Sequence, residues 1–494
     1  DLGQNAFHGK LNYHVNHFGM QNFDLNFSGG IGKNWLYNAG TYQNFDPGSF
    51  KLQFTDYADR TQIYHAGLTR ILNGGKGYVS VQYKHANSKN PGNFANAAPF
   101  VYVGDGSIKK VNGFDPGLDS YVPASGAFTY RDIMTGEKKT WNLNKGSENR
   151  SHEVAFLANY RWDNGLLWKF DAKYMYVPVA NFVDFGGSTI SNVTAADGYT
   201  LDENGQDAYE GLIEGRRTWL HFGKVTSGMF TTELNKLFGK HNVRLGLNEW
   251  YYHLNYHSSS LQWTGTVGAY PQVLYSMATD PGDPEYTKGS ENKLALYLTD
   301  NWKVNDKLNI YYGGRLEYYR MSADQIAQSR FSGFHIGDFN TYSRDENGNI
   351  VATAHSIHPA NVTKNKLNYA ATAQITYDVA KGFGIMADGT VATRYPRISD
   401  YAGTGPTAEQ YKRVTIPLVR GGIYYKNKWI DLSSMVTYIA KSNNIDQQNL
   451  TKPGTSEGKT VLLIYNIQTL GWTTTAEIKP FKNFSLHALF TYQK

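Results

Sequence analysis

The residues able to do chemistry fall into incomplete sets. His152-Glu153 opens the His-Glu-x-x-His pattern with which a helix holds zinc, but Phe156 stands where the second histidine must be. Asp345, Asn347 and Asn349 space oxygens like the start of a calcium loop, yet Gly348 takes the fourth place instead of the sixth and no Glu follows at the twelfth. His253 and His257 are four residues apart; on a straight strand rising ~3.3 Å per residue they sit about 13 Å apart, too far to share one metal. No phosphate-binding Gly-x-x-x-x-Gly-Lys-Ser/Thr is present. With no Cys at all, thiolate nucleophiles, thiol redox pairs and Cys-based zinc sites are excluded as well. The expectation is a protein that is not an enzyme and has neither resident metal nor cofactor.

Composition narrows the class. Of 494 residues, 15% are aromatic, 50 are Gly and only 18% are charged, where a soluble domain carries about 25% charge. So aromatic a chain is not intrinsically disordered. A net charge of +6 is spread thinly, without the dense basic stripe of a nucleic-acid surface, so no nucleic-acid partner is expected. No apolar run approaches the roughly 18 residues of a spanning helix.

The elements that must position these residues have period 2. From Lys307 to Arg320, Leu308, Ile310, Tyr312, Leu316 and Tyr318 alternate with Asn309, Tyr311, Arg315 and Glu317, which is a strand with one apolar and one wet face. Leu294, Leu296 and Leu298 do the same just before Lys303 to Asp306, giving a hairpin with a tight turn. Val154 to Tyr160 and Leu166 to Tyr176 flank Asp163-Asn164-Gly165, strong turn chemistry. Further turns are read at His17 to Gln21, Asn73 to Gly77, Phe238 to Asn242, Asp378 to Gly382, Lys426 to Lys428 and Pro480 to Asn483. Together these predict about sixteen strands of roughly 9 to 12 residues, the length a tilted strand needs to cross a bilayer.

Long polar segments alternate with the short turns, for instance Asn87 to Arg150, Val177 to Val225, Ser258 to Ser290 and Met321 to Lys364. Trp162, Trp302, Trp429, Tyr377, Phe383, Phe238, Phe481 and Phe484 flank the short turns, as an interfacial girdle does. The expected fold is all-β: a transmembrane antiparallel β-barrel with short periplasmic turns and long extracellular loops. Asp202-Glu-Asn-Gly205 and Asp345-Glu-Asn-Gly348 read as hairpin tips inside the loops. Along Val243 to Tyr256 the apolar parity flips near Asn248, which predicts a bulge there. A β-propeller fits less well, because propeller repeats keep a constant period and these turns do not.

The stretch Leu294-Ala-Leu-Tyr-Leu-Thr-Asp-Asn-Trp-Lys-Val-Asn-Asp-Lys-Leu-Asn-Ile-Tyr-Tyr-Gly-Gly-Arg-Leu-Glu-Tyr318 closely resembles a barrel hairpin of TonB-dependent outer-membrane receptors, with Asp-x-Trp before the turn and Gly-x-Arg-x-Glu after it. Val391-Ala-Thr-Arg-Tyr-Pro-Arg-Ile-Ser-Asp400 and Arg420-Gly-Gly-Ile-Tyr-Tyr-Lys-Asn-Lys-Trp429 resemble later landmarks of the same family. The resemblance implies a barrel of 22 strands, an N-terminal plug, location in the outer membrane of a Gram-negative bacterium, and energy delivered by the TonB-ExbB-ExbD complex through the plug. No plug-sized region precedes Phe7, and the chain stops at Lys494 without a terminal aromatic. Residues 1–494 are therefore expected to be a partial barrel lacking plug and C-terminal strands, opening on a descending strand.

On that frame, Tyr251, His253, His257, Trp263, Arg394 and Arg397 are the ligand-binding candidates, on the lumenal side or near the loops, with ordinary barrel wall as the competing reading. Lys169, Asp171, Lys173, Arg315 and Glu317 project to the wet face, either to dock the plug or to pair with one another in the wall. The expected function is active import of a scarce or large ligand, such as a ferric siderophore, haem, cobalamin or an oligosaccharide, with outer-membrane lipid and in some systems a surface lipoprotein as partners. A passive sixteen-stranded porin, an outer-membrane barrel enzyme and a soluble β-rich binding protein are the alternatives.

Overall fold

In the computed structural model all residues are described except 1–2, 4, 50–53, 96–99, 116–118, 120, 122, 124, 203, 276–284, 327–334, 348, 399–411 and 455–457. Alternation along the chain becomes one antiparallel wall. Its strands are β1 (His8–Val15), β2 (Gln21–Ile31), β3 (Trp35–Asp46), β4 (Asp59–Leu72), β5 (Gly77–Asn90), β6 (Ser147–Arg161), β7 (Leu167–Val193), β8 (Gly211–Phe238) and β9 (His241–Thr266). They continue as β10 (Glu285–Lys303), β11 (Leu308–Ile326), β12 (Ala360–Ala380), β13 (Phe383–Arg394), β14 (Val414–Lys426), β15 (Ile430–Thr451), β16 (Gly458–Phe481) and β17 (Phe484–Gln493). Each pairs with its sequence neighbours, and the short pieces Asn93–Ala95 and Val273–Leu274 add to β7 and β9. No helix is long and apolar enough to cross a membrane, which says nothing against crossing by strands.

Among the described residues seventeen strands form the wall, where about sixteen are expected from the sequence. The difference lies at the start. The turn near His17 exists, closed by Asn16 and Met20, but it lies at the long-loop end; the short-turn hairpin of that region is β2–β3, through Gly32 to Asn34. β1 consequently ascends, which corrects the expected descending start. Among the described residues no ladder joins β1 to β17, so these are the two edges of the wall.

Register decides which side chains share a face. Leu294, Leu296, Leu298, Leu316, Tyr318, Ile375 and Ile423 stand on the outward face, and Leu316 keeps 57% of its surface exposed. From Leu308 to Tyr318, ten steps of ~3.4 Å tilted by ~40° span about 26 Å, matching the ~25 Å apolar band of a membrane barrel. The polar side chains between them face inward.

The strands are longer than expected in the middle of the chain. β7, β8 and β9 run 27, 28 and 26 residues, over twice what the bilayer needs, because their ladders continue into segments whose polar composition resembles loop. The bulge expected near Asn248 is absent: β9 keeps one unbroken register against both β8 and β10. Trp250, Tyr252, Leu254 and Tyr256 simply face inward, so an apolar residue here does not mark the lipid side. Register shifts occur instead between Gly186 and Ile190, Asp378 and Ala380, Lys441 and Asn444, and Ile478 and Phe481.

The loops carry hairpins of their own: Phe100–Tyr102 with Ile108–Lys110, Ala127–Arg131 with Lys138–Asn142, and Gly337–Arg344 with Ile350–Ile357. The last turns at Asp345 as expected, whereas Asp202 caps a turn held by one bridge, Thr200 to Ala208.

Candidate functional site

Cross-strand neighbours on the inner face build a row at the top of the apolar band: Trp250 on β9, Lys293 on β10, Tyr319 on β11 and Lys366 on β12 are successive register partners. Lys293 Nζ lies 4.4 Å from the Trp250 ring centre and 5.9 Å from that of Tyr319. Tyr252 stacks beside Trp250 at 5.5 Å. A cation set over aromatic faces is attracted by the ring quadrupoles.

One row higher, Glu291 is 1% exposed. Its Oε1 lies 2.6 Å from Lys293 Nζ, and its Oε2 accepts the Ile398 backbone N–H at 2.9 Å. Tyr319 donates its hydroxyl to the Pro396 carbonyl at 2.8 Å. The segment following β13 is thereby pinned to the inner wall, with Ile398 buried against Tyr319, Met321 and Ala323. Lys366 Nζ lies 5.5 Å from the Tyr395 ring centre. Thus Arg394, which ends β13 opposite Val414, and the exposed Arg397 flank this segment, at the rim of the inner row.

The other ligand candidates lie elsewhere. Tyr251, His253 and His257 share the face of β9 that carries Leu245 and Leu247 lower down, so they do not face inward as expected, and Trp263 lies on that same face. Parity carries through an unbroken ladder, and that is the physical reason for the correction. Tyr251 is exposed, while Trp263 is buried with Phe128, Phe182 and Leu220 under the hairpin formed by Ala127–Arg131 and Lys138–Asn142. His257 stacks on Phe222 at 5.1 Å. Arg216 lies over the rings of Tyr121 and Trp263 at 4.5 and 4.9 Å and donates to the Tyr121 carbonyl, and Glu214 accepts the Tyr121 hydroxyl at 2.5 Å.

Burial pushes the His257 imidazole below its ordinary 6.5, with Asp132 opposing and Lys139 adding to the shift. A lowered folded value means that the unfolded or undocked ring binds the proton first. His257 therefore supports docking fully above pH 6.5, and that support is lost as pH falls through the folded value. Glu214, whose carboxyl burial pushes up from 4.5 against the pull of the Tyr121 hydroxyl and Arg216, acts with the opposite sign. We expect protease nicking of the 127–142 hairpin to increase between about pH 7.5 and about pH 5.5, and His257→Phe, which keeps the stacking, to flatten that rise. An unchanged pH profile in the variant would assign the effect to another group.

The wet-face candidates pair within the wall. Arg315 Nη2 donates to Glu317 Oε2 at 2.9 Å and to Asn248 Oδ1 at 3.2 Å, while Glu317 Oε1 accepts from Asn368 at 3.1 Å. Lys173 meets Glu153 at 2.7 Å, and Lys169 and Asp171 share its inner face. The calcium-like Asp345 accepts the backbone N–H groups of Asn347 and Asn349, a plain turn, with Gly348 outside the described residues. Among the described residues no group of three or more His, Asp or Glu is placed to hold a metal. One nucleophile-elbow spacing is present, Gly454-x-Ser456-x-Gly458, but it stands between β15 and β16 and not ahead of a helix, and 455–457 lie outside the described residues. Glu291, Lys293, Trp250, Tyr319 and Lys366 are also absent from the candidates read off the sequence. Their signal was the Glu291-x-Lys293 alternation on the wet parity of β10.

No family model and no curated protein sequence matches the chain. Solved structures do. The ferric-catecholate import receptor Fiu of E. coli K12 in its open form aligns over 100% of this chain and 66% of its own, at 10% identity and a TM-score of 0.59. The siderophore receptor PiuA of Acinetobacter baumannii aligns over 100% and 64%, at 10% identity and 0.59. The ferric yersiniabactin uptake receptor FyuA of Yersinia pestis aligns over 100% and 62%, at 10% identity and 0.56. The chain thus spans 62–66% of the length of these three structures, less than two thirds. At such identities the likeness concerns the backbone, and the fold of this chain is that of the outer-membrane β-barrel of TonB-dependent receptors.

Proposed function

We propose that this chain is the barrel wall of an outer-membrane receptor that imports an anionic metal chelate of the ferric siderophore kind. The carrying observation is the inner row Trp250, Lys293, Tyr319 and Lys366 at the outer rim of the barrel. Lys293 is already paired with Glu291, so Lys366, set against the Tyr395 ring, is the cation offered to a ligand that is both anionic and flat, with Trp250 and Tyr319 as its aromatic faces. The fold it shares with import receptors supports the same reading. Import against a gradient then needs energy, which in the family it resembles comes from TonB, ExbB and ExbD acting on a plug. The wall itself supplies binding and position, not catalysis.

The test uses the full-length protein and a ferric tris-catecholate, with binding followed by quenching of tryptophan fluorescence. Lys366→Met should weaken binding about tenfold, the scale of one charge-assisted contact, and Trp250→Phe should remove most of the quench. A protein that binds no chelate and instead shows steady ion conductance in a planar bilayer would be a porin.

A further inference from the structure

High on the inner wall, three adjacent strands bring together an imidazole, a phenol and a carboxylate. Tyr256 stands six residues up β9 from Trp250 on the same inner parity, about 20 Å away at ~3.4 Å per residue. Register sets His221 of β8 and Glu285 of β10 opposite Ser258, the next inner residue of β9. The Tyr256 hydroxyl donates to Glu285 Oε2 at 2.8 Å and lies 2.7 Å from His221 Nδ1. A phenol has one proton, so in the second contact the His221 Nδ1–H donates to the Tyr256 oxygen. The two rings stack at 6.0 Å, and the Glu285 backbone N–H donates to Ser258 Oγ at 3.0 Å. All three groups are half-buried.

Charge sets this cluster apart. Two further tyrosine and glutamate contacts have arginine beside them: Arg216 where Tyr121 meets Glu214, and Arg244 and Arg315 where Tyr297 meets Glu233. Among the described residues no Lys or Arg pairs with Glu285. Its surroundings on the inner face are uncharged, with Asn181 opposite His221 and Gln325 opposite Thr287. Gln325 is buried, and its Oε1 has no partner. A partly desolvated carboxylate without a cation is left with an uncompensated charge. Both contacts also have the length of an edge between adjacent donors on a hard ion, since ~2.0 Å bonds at right angles set two donors about 2.8 Å apart.

We infer that His221, Tyr256 and Glu285 form a site for an unchelated ferric ion, with protein atoms as its ligands. Mixed nitrogen and oxygen donors suit iron, and tyrosinate is among the protein ligands that hold haem iron. On binding, the phenol proton leaves to solvent as the iron–oxygen bond forms, and the imidazole proton moves from Nδ1 to Nε2. Water fills the remaining positions, and the iron stays ferric. Phenolate and carboxylate together offset two of its three charges. The site goes beyond the chelate reading, in which the chelator supplies every ligand, and does not depend on what the lower row binds.

The experiment titrates ferric nitrilotriacetate, which is only faintly coloured, into the full-length protein in detergent and follows visible absorption. A phenolate-to-iron charge-transfer band should grow to one ion per protein. Tyr256→Phe, which keeps the ring stack, should abolish the band, and His221→Gln and Glu285→Gln should each raise the half-saturating concentration about tenfold or more. Tyr297→Phe, at a pair that arginine already compensates, should leave it unchanged. Heat-modifiable mobility checks that each variant is folded. No band in the parent, a band that survives in Tyr256→Phe, or one lost equally in Tyr297→Phe would each overturn the proposal. Quenching by the ferric tris-catecholate is read separately: its absence with the band intact overturns the chelate reading alone, and its presence without the band overturns the ferric site alone.

Discussion

Glu291→Ala should free the segment after β13 from the inner wall. The carboxylate is almost wholly buried and holds both Lys293 Nζ and the Ile398 N–H. Its loss leaves a cation and an amide donor without their partner. Breaking a buried pair costs ~3–5 kcal/mol and orphaning a buried donor ~1–3. Lys293 keeps about a quarter of its side chain in solvent, which relieves part of this, and a net cost of about 2–4 kcal/mol follows. Amide exchange at Ile398 should accelerate by roughly 30- to 1,000-fold, with little change in β16 and β17 on the far side of the wall. Glu291→Gln should fall between, since its amide oxygen still accepts from Ile398 but no longer neutralises Lys293. If exchange at Ile398 is unchanged in both variants, the anchor is not what holds the segment.

Arg216→Met should undock the loop between β5 and β6 at least as strongly. Arg216 is 3% exposed, lies over Tyr121 and Trp263, and sits beside the buried Glu214. Removing only the cation leaves that carboxylate buried with the Tyr121 hydroxyl as its remaining partner, at a cost of ~3–5 kcal/mol. The double variant Glu214→Gln/Arg216→Met should recover most of the loss, to within about 1 kcal/mol of the parent, because an apolar and a neutral side chain need no mutual compensation. Exchange protection of the strand Ala127–Arg131 and its partner is the readout. A double variant as unstable as the single one would mean that Arg216 acts through packing on the two rings and not through charge.

Both sites join residues far apart in the chain. Glu291 meets Ile398 across 107 positions and Tyr121 meets Glu214 across 93. No local pattern in either segment announces its partner. Glu291 looks like one more wet-face charge, and Tyr121 like one more loop aromatic.

The sequence by itself determined the wall. A period of two sorts side chains onto two faces before any strand finds its neighbour, so Leu294, Leu296 and Leu298 pair off against Ala295, Tyr297 and Thr299 wherever the strand lies. Turn chemistry such as Asp163-Asn164-Gly165 is equally local, which is why seven of the eight short-turn hairpins stand where their turns are read. Tertiary structure decided the rest. Whether a short turn lies at the periplasmic or the loop end depends on how many strands separate it from the next, and at His17 one unread strand before the Asn73 turn reversed the answer. Which face of β9 looks inward above the bilayer was also open, because outside lipid an aromatic such as Trp250 or Trp263 is stable on either face once something covers it. The covering groups, Ile398 on one side and Phe128 on the other, come from loops whose paths are set by contacts that form only after the wall exists.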